Sequence, residues 1–77
     1  MYKITPDQHT EVRALLGRIN SALANAPERA TGVSRLKRLR AKLRAAVRYN
    51  SRLALDYFLA DWRAGIKLAC TSVEMAA

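Results

Sequence analysis

The segment from Arg35 to Arg52 constrains the fold of this chain more than any other feature. It reads RLKRLRAKLRAAVRYNSR and contains eight Lys or Arg residues and no acid. Leucine, alanine and valine recur in it at steps of three and four residues, which is the spacing of one helix face. We therefore predict an amphipathic helix with an apolar side toward a core and a cationic side toward solvent.

The composition favours an all-α fold. The chain has 77 residues and a formal charge of +8, so we expect a single helical domain over residues 1–77. Alanine is abundant and β-branched residues are few, which favours helix over strand. A domain this short buries a modest fraction of its surface, and pairing of chains often supplies stability that one core cannot.

The first helix has clear start and stop signals. Thr5 and Gln8 have the spacing of a capping box, and Pro6 between them suits the first helical position. Pro27 disfavours helix in the residue before it. We predict helix 1 over about residues 6–25.

The rest of the chain is predicted to form two more helices and complete a small three-helix bundle. Helix 2 is expected at about residues 34–49, capped by Ser34, and helix 3 at about 51–71. Glu74 to Ala77 are expected to fray. The apolar stripe rotates by roughly 110° between helices 2 and 3, which predicts a turn near Asn50, because asparagine tolerates a left-handed conformation at the end of a helix. The alternative is a helical hairpin with one long second helix that dimerises into a bundle.

The cationic side of helix 2 is the candidate binding surface. Like charges four residues apart destabilise an isolated helix, so their accumulation without acids indicates an anionic partner. That partner is nucleic acid, DNA or RNA, or an acidic protein surface, and the alternative is a face that only keeps the domain soluble. The predicted binding residues are Arg35, Lys37, Arg38, Arg40, Lys42, Arg44, Arg48, Tyr49 and Arg52.

The aromatic residues allow two interpretations each. Tyr49 suits stacking on an unpaired base, but a half-buried position over the corner between helices 2 and 3 is the simpler expectation. Tyr57, Phe58 and Trp62 are most simply core, or else an exposed anchor for a protein partner, including a homodimer. A second apolar stripe on helix 3, including Leu53, suggests an element packed between neighbours.

Catalytic and metal-binding groups are sparse. Cys70 is the only cysteine and His9 the only histidine, which predicts no disulfide, no zinc site, no cofactor and a reducing cytoplasm. A site joining His9 to nearby carboxylates lacks further ligands. The glycines are isolated and form no phosphate loop. We expect no enzyme, no signal peptide and no membrane span.

These features rank three functions. A nucleic-acid-binding protein that contacts the phosphate backbone comes first, because the charge lies on helix 2 while helix 3 offers few base-reading side chains for a helix-turn-helix mode. A non-enzymatic inhibitor or adaptor of the phage or mobile-element type, docked on an acidic surface of a host protein, is the alternative. An amphipathic membrane-surface helix ranks last, because the leucine stripe is needed for the core.

Overall fold

The computed structural model describes residues 3–27 and 30–76, and this part of the chain forms a three-helix bundle. The helices are α1 (Pro6–Ala24), α2 (Val33–Arg48) and α3 (Arg52–Ala76), and each packs against the other two. The all-α bundle is confirmed, and the alternative with one continuous second helix is wrong. α3 runs five residues beyond its predicted end and includes Glu74, where fraying is predicted, while Ala77 lies outside the described residues.

The capping box at the start of α1 is confirmed. The Gln8 backbone N–H donates to Thr5 Oγ1 at 3.1 Å, and the Thr5 N–H donates to Gln8 Oε1 at 3.0 Å. Pro6 occupies the first helical position, where a missing N–H leaves no intrahelical bond unmade. These bonds join residues three apart in the chain, so the start of the helix could be predicted from the local sequence.

α2 begins one residue before its predicted start, and its cap is Gly32 instead of Ser34. Gly32 has φ of +97°, a left-handed conformation that favours glycine. A Cβ at this position would lie 2.9 Å from the carbonyl oxygen of Ala69 in α3. Gly32 therefore allows both the turn into α2 and the close approach of that turn to α3.

The corner between α2 and α3 contains the predicted left-handed asparagine. Asn50 has φ of +50°, and the Ser51 N–H next to it donates to the carbonyl of Ala46 at 2.8 Å. Asn50 Oδ1 also accepts a hydrogen bond from the Ile4 N–H at 3.1 Å. The backbone of Asn50 thus turns the chain after α2, and its side chain ties the segment before α1 to the corner.

Apolar side chains from all three helices meet in one core. Ile19, Leu36, Leu43 and Ile66 are fully buried there, and each such burial contributes about 1.5–3 kcal/mol. None of the described polar or charged side chains is buried. The bundle measures 43 × 18 × 17 Å because α3, at 25 residues, is about 37 Å long.

The second apolar stripe of α3 lies on the surface, contrary to the prediction that neighbours cover both sides. Leu53, Tyr57 and Leu68 are between 62% and 71% exposed. In a bundle of three, α1 and α2 pack against adjacent sides of α3 and its outer side has no neighbour. Hydrophobic periodicity indicates which side of a helix is apolar, but it does not indicate whether another helix packs against that side.

Candidate nucleic-acid interface

Most of the cationic side chains of α2 are exposed to solvent, as the sequence predicts. Arg40 is half-buried at the border with α1, and Arg52 is half-buried at the first position of α3. The other predicted residues are exposed: Arg35, Lys37, Arg38, Lys42, Arg44, Arg48 and Tyr49.

The six exposed cations of α2 have no acidic partner within residues 3–27 and 30–76. None of them makes an ion pair there, although carboxylates occur on both other helices. Arg29, which precedes α2 in the acid-free stretch, and Glu28 before it lie outside the described residues. Within the described part of the chain, the positive charge of α2 therefore faces solvent without compensation.

Two of the predicted binding residues make polar contacts within the protein, one to α1 and one inside α3. Arg40 donates to Asn20 Oδ1 on α1 at 3.1 Å. Arg52 Nε lies 3.6 Å from Asp56 Oδ2, one turn further along α3. Because the chain turns at Asn50, Arg52 does not extend the row of cations on α2.

The exposed cations form two rows along α2. Arg35, Arg38 and Lys42, here called the groove row, line a groove between α2 and α3. Lys37, Arg44 and Arg48, here called the outer row, recur at steps of seven and four residues on a side of the helix that does not line this groove. The helix therefore offers one cationic row to a concave surface and one to open solvent.

The opposite wall of the groove is aromatic. Phe58 and Trp62 stack with ring centroids 5.8 Å apart and ring planes 18° apart. Trp62 is half-buried against the core, whereas Phe58 is 51% exposed, and Tyr57 beside it is 71% exposed. The interpretation of these residues as core is thus wrong for Tyr57 and Phe58. Sequence analysis identified the cations and the rings but not that they share one groove.

Tyr49 is 73% exposed, so the expectation that it is half-buried at the corner is wrong. The Arg48 guanidinium lies 5.8 Å from the centroid of its ring, within the range of a cation–π contact. The corner bonds are made by backbone groups and by Asn50, so the phenol ring is left outside the packed surface. Tyr49 is therefore available to a ligand that also contacts the cations.

Neither a metal site nor a membrane span is found in the described part of the chain. No three His, Cys, Asp or Glu side chains there lie close enough together to hold a metal ion. His9 is exposed, and nearby Glu11 binds Arg63 instead. None of the helices described combines the length and hydropathy needed to cross a bilayer.

Comparison with known proteins provides no relative from which to transfer a function. No protein-family model matches this chain, and neither a curated protein nor a solved structure gives a significant match. A function for this chain must therefore be argued from its own charges, exposed surfaces and geometry.

Proposed function

We propose that this protein is a small non-enzymatic nucleic-acid-binding protein that contacts the phosphate backbone through α2. The observation that supports this most directly is the set of six exposed cations on one helix, without an ion pair among the described residues. Uncompensated positive charge on one surface attracts polyanions and speeds their encounter. Arginine adds a planar fork that bonds two phosphate oxygens at once.

The expected binding mode is sequence-independent. The outer row extends from Lys37 to Arg48, a separation of eleven positions or about 16 Å along a rigid helix. Phosphate contacts of this kind fix position on a nucleic acid but carry no base information. The like-charge pair Arg44 and Arg48 costs a few tenths of a kcal/mol in the free protein, and bound phosphate removes that cost.

Salt dependence tests the proposal. Fluorescence anisotropy with a labelled 20-base-pair duplex gives the association constant between about 50 and 200 mM salt. If about five phosphates are neutralised, the logarithm of that constant falls against the logarithm of salt concentration with a slope of roughly −4.5. Absence of binding at the lowest salt concentration contradicts the proposal.

An adaptor or inhibitor that docks on an acidic protein surface is the second candidate. The apolar outer side of α3 favours it, because Leu53, Tyr57, Leu68 and Met75 are all more than 60% exposed. Exposed apolar patches of this kind occur where proteins bind one another. A stoichiometric partner that co-purifies from nuclease-treated lysate supports this candidate, and recovery only when nucleic acid is present supports the first.

Self-association is the other interaction that the exposed rings allow. A homodimer through Tyr57, Phe58 and Trp62 would cover two rings that the monomer leaves exposed. Sedimentation equilibrium of the free protein, repeated with Tyr57→Ala, tests it. A dimer that dissociates in the variant supports this pairing, and a monomer at all concentrations contradicts it.

A further inference from the structure

The groove between α2 and α3 has cations on one wall and aromatic rings on the other. It has a volume of about 730 Å³, with the groove row on one wall and the stacked pair Phe58 and Trp62 on the other. Gly65 lies on the α3 wall, and a Cβ there would be 3.5 Å from Arg35 Nη2, an ordinary van der Waals distance. The Arg35 guanidinium thus lies close to α3.

A smaller depression of about 290 Å³ extends the same surface toward the corner. Lys42 and Trp62 line both the groove and the depression, and Tyr49 lines the depression. The rings of Phe58, Trp62 and Tyr49 therefore follow one another along this surface, with cations beside them. A ligand that lies along it meets positive charge on one side and aromatic rings on the other.

We propose that this groove binds single-stranded nucleic acid, with bases against Phe58 and Trp62 and phosphates on Arg35, Arg38 and Lys42. Any base stacks on an aromatic ring through its π-face, and this face is accessible only when the base is unpaired. A duplex hides its base faces and presents phosphates alone, which suits the outer row. The inference rests on the proposed function and deepens it by naming the form of nucleic acid that the groove selects.

The groove has room for a short stretch of strand. Arg35 and Lys42 are seven positions apart, or about 10 Å along α2, which is on the order of three phosphates of a stacked strand. Asp61 also lines the groove and repels phosphate. Its carboxylate is an acceptor for base amino groups, so the bases and not the phosphates occupy the α3 side.

The single tryptophan makes the proposal directly measurable, because all tryptophan fluorescence comes from Trp62. The probes are a 12-nucleotide single strand of mixed sequence, the 12-base-pair duplex of the same sequence, and inorganic polyphosphate. We expect the single strand to quench the fluorescence strongly. Duplex and polyphosphate are expected to bind, as measured by competition, with little quenching.

Variants at Phe58 separate stacking from charge. Phe58→Ala is expected to weaken single-strand binding roughly tenfold, the usual scale for one base–aromatic stack, and to leave duplex binding within about twofold. Phe58→Leu retains apolar bulk without the π-face and is expected to lose single-strand affinity in the same way. Leu53→Ala is the matched control, because Leu53 is 62% exposed on α3 and does not line the groove.

The outcomes distinguish this inference from the function on which it rests. If both forms of nucleic acid bind but neither Phe58 variant changes their ratio, the groove assignment is overturned and the proposed function stands. If neither form binds at low salt, both are overturned. A synthetic acidic amphipathic peptide tests for a protein ligand. If this peptide quenches Trp62 fluorescence and its binding is weakened by Phe58→Ala, while single-strand binding is not, the groove binds protein and the inference is overturned.

Discussion

α3 packs against α1 and α2, and in the described part of the chain charged side chains are paired on the side of α1 but not on the side of α2. Toward α1, Arg63 donates to both carboxylate oxygens of Glu11, at 2.7 Å to Oε1 and 2.8 Å to Oε2, and Gln8 Nε2 donates to Asp56 at 2.7 Å. Toward α2, the cations of the groove row line a groove that also contains Asp61, yet none forms an ion pair with it. Among the described residues, carboxylates therefore stabilise one side of α3 and leave the other open.

Charges that form ion pairs with α1 stabilise the fold, whereas the exposed cations of α2, which form no ion pair within residues 3–27 and 30–76, do not. A partly exposed ion pair such as Glu11–Arg63 contributes about 0.2–1 kcal/mol, since water screens it. Clustered cations on α2 oppose folding by a similar amount, because like charges repel one another. A sequence selected only for stability would place acids between those cations. Their absence along α2 is what supports an anionic ligand.

The largest expected stability effect is at Gly32, where the chain enters α2 against α3. Gly32→Ala forces a Cβ toward the Ala69 carbonyl at positive φ, which costs about 1–3 kcal/mol of the free energy of unfolding. Urea denaturation followed by circular dichroism measures it. Labelling of the buried Cys70 thiol, next to Ala69 in the chain, should also become faster.

Gly17→Ala is the control for that substitution. Gly17 lies in α1, and a Cβ there meets nothing within 4 Å. Replacing a glycine inside a helix by alanine should raise the free energy of unfolding by about 0.5–1 kcal/mol. If Gly32→Ala instead raises the free energy of unfolding as Gly17→Ala does, neither the left-handed conformation nor the close approach to α3 requires glycine at position 32.

The corner at Asn50 is expected to have the next largest effect. Asn50→Ala places an alanine at positive φ and removes the acceptor of the Ile4 N–H, for a loss of about 1–2 kcal/mol. Asn50→Gly accommodates the backbone conformation and loses only the hydrogen bond. A smaller loss in the glycine variant, measured by urea denaturation, indicates that both roles of Asn50 contribute; equal losses contradict the backbone role.

The smallest expected effect on stability is at the charged residues on the two sides of α3. Arg63→Gln removes the ion pair with Glu11 and should lower the free energy of unfolding by about 0.2–1 kcal/mol, less at high salt. Arg38→Gln removes one charge from the groove row, and should leave stability unchanged or slightly higher. Equal losses in the two variants would show that the charges on both sides of α3 stabilise the fold alike.

Local signals predicted much of this fold. The capping box at Thr5 and the left-handed residue at Asn50 depend on neighbouring residues, and both are found where the sequence indicates them. Gly32 was missed as a cap because its requirement comes from Ala69, which is distant in sequence. The same limit hid the groove, since periodicity gives the face of each helix but not which residues of α2 and α3 lie opposite one another.

The cationic residues of the candidate site could be predicted from the sequence, but the groove that they line could not. Counting acids and bases identified the cations of α2, because an acid-free run is visible in sequence. The position of Phe58 beside them depends on how far α2 slides along α3, which the corner at Asn50 and the contact at Gly32 determine together. Exposure of Phe58 depends on the number of neighbours around α3, and this is a property of the whole bundle.

The central claim is that the cations of α2, and not net charge alone, bind phosphate. Two triple variants of equal net charge test it. In the outer-row variant, Lys37, Arg44 and Arg48 are changed to glutamine. In the control variant, the exposed residues Arg13, Arg18 and Lys67 of α1 and α3 are changed to glutamine. On duplex DNA, the outer-row variant should make the slope of log K against log salt shallower by about 2.7, since each lost phosphate contact removes about 0.9. The control variant should retain the original slope. Equal changes in the two variants, or no change in either, would contradict the claim.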